Sequence, residues 1–275
     1  MIKDRYLIAF DMDGTLLKDG DKIILEKTKE YLLQLIKDGH KIILASGRPK
    51  SELMPYYNEL GLDTPLVCFN GIHCFNPKNH TFPEIRKTYK REKLFNIIKQ
   101  LKGKSITNAF VEDDENVWML ERDDDLYKVM WPHGSEKEII YGPFEETLTA
   151  DPMTLITICK GMESDVEHYQ NVVKKYKKAK VRFWWNNQCG EVYFGKVSKG
   201  KCLEHIRKYY KIKKKNTIAF GDYTNDLEMI KWARVGVAMQ NACQELKNAA
   251  NIVTKFDNNN DGILFALKEI IEKRG

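Results

Sequence analysis

Asp11 and Asp13 stand one residue apart, directly after the apolar run Tyr6-Leu7-Ile8-Ala9-Phe10 and directly before Gly14-Thr15. That run has the pattern of a buried central strand, so its end delivers two carboxylates into a crowded place where they repel each other. Burying either one unpaired is costly. Further groups along the chain can answer this charge. Ser46 closes the apolar run "KIILAS" and is followed by Gly47-Arg48; Lys199 lies in "VSKGK"; Asp222 follows "TIAFG", with Asn225 and Asp226 just beyond. These are the parts for phosphoryl transfer assisted by Mg²⁺, a hard cation typically held by one or two carboxylates together with phosphate and water. Asp11 and Asp222 can supply that charge, and Asp13 can offer its backbone carbonyl while its side chain stays free for proton transfer. The metal would offset the crowded acids. One carboxylate can attack phosphorus to give an aspartyl-phosphate. The second can protonate the leaving oxygen and then activate water. Ser46 and the Gly47 amide can donate to phosphoryl oxygens, Lys199 adds a cation, and Gly14 permits a tight turn beside them.

Alternating strands and helices must position these groups. Tyr31, Leu32, Leu35 and Ile36 recur at helical spacing between Glu26 and Asp38, and Gly39 stops them. "KIILAS" is a second buried strand, Pro49 suits the first turn of a helix to about Leu60, and "PLVCFNG" (65–71) is a third strand. Such alternation means βαβ units and a parallel sheet. After about residue 72 the pattern changes: a hairpin around Asn76-Pro77-Lys78-Asn79, a helix near 91–101, strand-like runs at 106–112 and 116–122, and a poorly patterned stretch to about 150. "MTLITICK", a helix near 163–178, "KVRFWWNN" and "GEVYFG" follow, with Trp184 and Trp185 expected on opposite faces of a strand. From Ser198 the alternation resumes, through "TIAFGD", "NDLEMIKWA", "VGVAM" and "NIVT", to a last helix from Asp261. The fold class is therefore α/β: a doubly wound, Rossmann-like parallel-sheet core (1–83 and 196–275) with an inserted α+β domain (84–195). Ligands of such sheets gather at the carboxyl ends of the strands, where the polar groups above lie.

The combination resembles the haloacid dehalogenase superfamily of phosphohydrolases, in particular its Cof-like, class IIB-capped branch. "DMDGTLL", "ASGRP", "VSKGK" and "GDYTND" look like that family's four motifs in order; "CFNG" (68–71) and "GVAMQNA" (236–242) are similar to recurrent family stretches. The resemblance spans nearly the whole chain, and the insert lies where this branch carries its cap. It implies that Asp11 is the nucleophile and Asp13 the general acid/base. It implies Mg²⁺ on Asp11, the Asp13 carbonyl and Asp222, with Asp226 in support, and phosphate held by Ser46, Gly47, Lys199 and Asn225. Met12, Arg48 and Asn70 are further candidates to line the phosphate and substrate site. The related ion-pumping ATPases carry Thr at the position of Asp13 and keep their aspartyl-phosphate longer; an acid there suits rapid hydrolysis. One departure is Gln240 in "VAMQNA", where a small Gly is more usual.

Composition excludes other classes. With 275 residues and 43% hydrophobic content the chain can bury a sizeable core. Its six cysteines form no Cys-x-x-Cys pair and no zinc spacing, so packed thiols in a reducing, cytoplasmic setting are expected. No apolar run approaches a membrane span, and the first strand begins too early for a signal peptide. A net charge of +6 from 45 basic and 39 acidic residues is too modest to point to nucleic acid. "GKVSKGKC" falls short of a nucleotide-binding loop because Cys202 stands where a hydroxyl should meet Mg²⁺. "DNNNDG" falls short of a calcium loop because Lys268 takes the place of the bidentate Glu, and a polar turn capping the last helix at Asp261 is expected instead. The runs Glu112–Glu115 and Asp123–Asp125 are expected in solvated loops, and "KKYKKAKVR" on a solvated helix face. The expected partner is a small phosphorylated metabolite, and the expected activity a Mg²⁺-dependent phosphatase acting on phosphomonoesters such as sugar phosphates. A phosphomutase shares this chemistry. A binding protein that kept the fold is a third possibility, against which Asp11, Asp13, Lys199 and Asp222 argue.

Overall fold

Leu7–Phe10 forms the first strand, β1, with all four residues sealed from solvent. The computed structural model of the chain describes residues 5–131, 137–184, 187–195 and 197–272. It divides into two units, Met1–Arg86 with Ser198–Gly275, and Lys87–Val197. In the first unit β1 is followed by α1 (Glu26–Lys37), β2 (Lys41–Leu44), α2 (Lys50–Glu59), β3 (Leu66–Cys68), β4 (His73–Phe75) and β5 (Ile85–Arg86). The second unit holds α3 (Arg91–Leu101), β6 (Ile106–Glu112), β7 (Asn116–Met119), α4 (Asp124–Met130), β8 (Glu138–Tyr141), α5 (Phe144–Thr147), β9 (Ile156–Cys159), α6 (Glu163–Lys174), β10 (Ala179–Trp184) and β11 (Cys189–Phe194). The first unit resumes with α7 (Lys199–Tyr209), β12 (Thr217–Gly221), α8 (Leu227–Trp232), β13 (Val235–Ala238), α9 (Gln244–Ala249), β14 (Ile252–Val253) and α10 (Gly262–Glu272).

The first unit is built on a parallel sheet of order β14-β13-β12-β1-β2. β3 extends it through a parallel bridge from Ala45 to Val67 and forms an antiparallel trio with β4 and β5. From β1 the chain winds outward one way through β2 and the other way through β12, β13 and β14. Right-handed crossovers run in opposite directions put α1 on one face and α8 and α9 on the other. α10 returns to pack on α1, and α7 lies beside α8. α1 turns Leu32 and Leu35 inward as its spacing predicts, with Thr28 beside them, while Tyr31 and Ile36 stay half-buried. Phe10 stacks on Phe220 across the two central strands with ring centroids 5.1 Å apart. The strand order reverses between β1 and β12, which opens a crevice at their carboxyl ends.

The second unit is a six-stranded sheet, β10-β11-β9-β6-β7-β8, antiparallel except between β7 and β8. α3 and α6 pack together, with α6 against β10. Phe110, Val117, Met119, Leu126, Trp131, Ile156 and Cys189 form an apolar cluster. Trp184 packs against that cluster; Trp185 lies outside the described residues.

Several local expectations change. The poorly patterned stretch holds α4, β8 and α5, elements too short to show a period. Asp123 is no solvated loop residue but the N-cap of α4, accepting from the Leu126 amide. Glu112 ends β6 fully buried, its carboxylate 3.0 Å from the equally buried Lys137 ammonium, so charge alone misplaced it in solvent. "KKYKKAKVR" spans the end of α6 and the start of β10, because the helix stops at Lys174. Asp261 stands just before α10, its carbonyl accepting from the Phe265 amide, while its carboxylate accepts from Thr28 of α1. Asn76 does hold its turn, accepting from the amides of Lys78 and Asn79. Pro49 precedes α2 as its N-cap. Among the described residues no helix is long and apolar enough to cross a membrane.

Glu112→Ala will take its carboxylate partner from the buried Lys137 ammonium in the second unit, leaving the donation to the Asp113 carbonyl in place. Truncating one partner of a buried pair costs about 3 kcal/mol, so the urea midpoint of that unit should fall clearly, and an unchanged midpoint would show that the pair contributes nothing.

Candidate active site

Register sets the site. Phe10 pairs with Phe220 and with Leu44, so the residues that follow them leave the sheet side by side. Asp11 is pinned there by its amide, which donates to the Phe220 carbonyl at 3.0 Å. The chain then makes one wide turn, Met12–Leu16, in which the Leu16 amide reaches back to the Asp11 carbonyl. Gly14 takes a left-handed φ of +68°, and a Cβ on it would stand 2.5 Å from Asp222 Oδ2. Only glycine allows this turn to press against the neighbouring acid. Asp222 in turn accepts from the Thr15 hydroxyl at 2.8 Å.

Lys199 enters from the first turn of α7, which is capped by Ser198. Gly71, with φ +93°, lets the loop after β3 touch the Ser198 carbonyl, where a Cβ would come within 2.5 Å. That close approach ties the Asn70 loop to the start of α7. Lys199 is wholly buried, with its Nζ 2.5 Å from Asp11 Oδ1 and 2.6 Å from Asp226 Oδ1. The other oxygen of Asp226 accepts from the backbone amides of Asp222 and Tyr223 at 3.1 and 3.2 Å. Asp226 therefore both anchors the lysine and folds the loop after β12.

The charges do not balance. Carboxylate oxygens of Asp11, Asp222 and Asp226 all lie within 4.8 Å of one another, against the single ammonium of Lys199. Burial, reinforced by Asp226, pushes the Asp11 carboxyl well above its ordinary range despite Lys199. Burial and Asp226 likewise push Asp222 up to about 7. Burial pulls the Lys199 ammonium down, yet Asp11 and Asp226 outweigh it and hold the ammonium above its ordinary range. A cluster of hard oxygen donors with uncompensated negative charge fits a divalent cation of the Mg²⁺ or Ca²⁺ kind.

The remaining candidates surround this cluster unevenly. Ser46 follows β2, its Oγ accepting from the Arg48 amide and its carbonyl from the Asn70 amide. Asn225 donates to Asn70 Oδ1 at 3.0 Å, joining the loops after β3 and β12, and Gly47 lies against the Asn70 side chain. The side chain of Met12 is entirely buried, so what it can offer a ligand is main chain. Asp13 is not free: Arg48 grips it with Nε and Nη2, both at 2.7 Å, and the Lys22 ammonium lies 3.0 Å away. Burial raises its pKa, but the Arg48 hydrogen bonds and charge, with Lys22, hold it at about 2.

Some contacts escaped sequence reasoning. Thr15 and Asn241, whose side chain donates to the Gly14 carbonyl, both lie inside the quoted motifs and were visible as polar residues there. Lys22 carried no signal, since only the folded loop brings it to Asp13. Gln240 is exposed, with its amide donating to Thr254 Oγ1, so its bulk meets open space.

Comparison with known proteins accords with this geometry. Residues 8–267 match the family described as haloacid dehalogenase-like hydrolase. The chain is 30% identical over 269 residues to the 5-amino-6-(5-phospho-D-ribitylamino)uracil phosphatase YitU of Bacillus subtilis, covering 96% of this chain and 97% of that protein. It is 27% identical over 263 residues to the pyridoxal phosphate phosphatase YbhA of Escherichia coli, covering 94% and 95%. A solved subclass IIB sugar phosphatase of the superfamily shares the fold, with TM-score 0.80, 24% identity and coverage of 96% and 98%.

Gly14→Ala will force its new methyl group against Asp222. Displacing a group at a metal site costs on the order of ten- to a hundredfold in affinity, so isothermal titration with a divalent cation should weaken by about that much while circular dichroism stays unchanged. Undiminished binding would disprove the role given to this close approach.

Proposed function

The chain belongs to the haloacid dehalogenase-like hydrolase family, and from that membership and the geometry of its site we propose that it is a Mg²⁺-dependent phosphatase of small phosphomonoesters, sugar phosphates or similar metabolites, working through an aspartyl-phosphate. The observation that carries this reading is the buried Lys199 ammonium shared by Asp11 and Asp226, with Asp222 in the same cluster. The relatives named above act on phosphate esters of small metabolites, which supports the substrate class.

Asp11 and Asp222 would hold the metal together with the Asp13 carbonyl, while Asp226 supports them from behind. The metal, when bound, neutralises the acids and the phosphate so that one anion can approach another. Lys199 aims Asp11, and its charge favours the ionised carboxylate against the burial that pushes the carboxyl up. An oxygen of Asp11 attacks phosphorus, and the bond from phosphorus to the leaving oxygen breaks. Asp13, once out of the Arg48 fork and protonated from solvent, gives that oxygen its proton. It then takes a proton from water, whose oxygen attacks phosphorus, and the bond from phosphorus to the Asp11 oxygen breaks to release phosphate and the free carboxylate. The Ser46 hydroxyl, the Gly47 amide and Asn225 offer donors to the phosphoryl oxygens. For proton transfer the Asp13 carboxyl must leave the Arg48 fork.

Asp11→Asn keeps the side-chain shape and removes the nucleophile, so phosphate release from a panel of phosphorylated sugars, nucleotides and cofactors should fall by at least roughly a thousandfold. EDTA should abolish release by the wild type and Mg²⁺ restore it. Release that survives both the substitution and the chelator would overturn this reading.

A further inference from the structure

Asp13 occupies a cradle that looks built for an anion. The planar fork of Arg48 meets both of its oxygens, at 2.7 Å each, the geometry by which guanidinium recognises carboxylate and phosphate. The Lys22 ammonium lies 3.0 Å from Asp13 Oδ1, the oxygen that Nη2 also meets. Behind the fork, Glu52 lies 3.3 Å from Nη1. The side chains of Arg48, Lys22 and Asp13 are 18%, 33% and 45% exposed, so the cradle is open to solvent and lies two residues from Asp11.

The placement of Lys22 adds a second observation. It has φ +53°, a left-handed backbone that a lysine enters at a cost, and strain of this kind collects at functional sites. The strained residue is held in place: its carbonyl accepts from the Tyr56 hydroxyl of α2 at 2.7 Å, and its amide donates to the Lys18 carbonyl. The loop fixes a lysine whose ammonium points at Asp13.

Resting on the phosphatase reading, we infer that Arg48 and Lys22 form a subsite for a second anionic group on the leaving part of the substrate, and that the Asp13 carboxylate fills it when no substrate is bound. When Asp13 turns to the leaving oxygen, the fork and the ammonium lose their partner beside the reacting phosphate. A carboxylate or second phosphate on the substrate restores it. The preferred substrates are then phosphomonoesters bearing a further acid group, rather than esters of neutral alcohols.

Two matched pairs test this: 6-phosphogluconate against glucose 6-phosphate for a carboxylate, and fructose 1,6-bisphosphate against fructose 6-phosphate for a second phosphate. Wild type should favour the member with the extra anion in kcat/KM, mainly through KM, in at least one pair. Lys22→Met should cut that preference on the order of tenfold, the scale of one charge-assisted hydrogen bond, and Lys22→Arg should restore most of it. A lysine that merely braced the loop would lower Tm and scale both members of a pair alike. A wild-type preference that is absent, or that Lys22→Met leaves intact, overturns the inference while the phosphatase reading stands. No phosphate release from any of the four compounds, or from a wider panel, sinks both.

Discussion

The ammonium of Lys199 is the interaction on which the site depends. It is wholly buried and bonded to Asp11 on one side and Asp226 on the other. A buried lysine without such partners would lose its charge, and buried aspartates without it would take up protons. The two carboxylates hold the Lys199 ammonium charged, its charge works against the burial that pushes Asp11 up, and the three come from places in the chain that only folding joins. Because Asp226 also accepts from two backbone amides, the same network shapes the loop after β12 and places Asp222. Breaking one contact here disturbs the charge balance and the backbone together.

The parallel sheet explains why these partners meet. The hydrogen-bond register sets the carboxyl ends of β1 and β12 level, and the reversal of strand order between them leaves space for a ligand. Glycines allow the connecting loops to close on that space. Gly14 admits Asp222 and Gly71 admits the start of α7, each at a distance that a side chain would fill. The inserted unit can therefore interrupt the chain without disturbing the core: it leaves after Arg86 and rejoins at Ser198, where the cap of α7 begins.

Asp13 shows how differently two acids of one short motif can be treated. Asp11 is buried against acids and a single lysine, whereas Asp13 is gripped by a guanidinium and an ammonium. Their surroundings push their proton affinities in opposite directions, upward for Asp11 and downward for Asp13. A pair of carboxylates whose environments separate them in this way is suited to separate tasks.

Much of this was legible in the residues themselves. The apolar runs ending in Asp11, Ser46 and Asp222 gave away the parallel sheet and the strand ends, because burial on both faces of a strand demands an unbroken apolar stretch. The quoted motifs contained most of the groups around the cluster. Short elements such as α4 and β8 showed no period, and charge misled at Glu112, whose partner Lys137 lies 25 residues on. The grip of Arg48 and Lys22 on Asp13 was equally hidden, as was the sharing of Lys199 between Asp11 and Asp226. Local pattern determines which face of an element is buried, but less sharply where it ends, as α6 stopping at Lys174 shows. Which charges meet across 35 or 188 residues depends on register, crossovers and loop closure, and those exist only once the chain has folded.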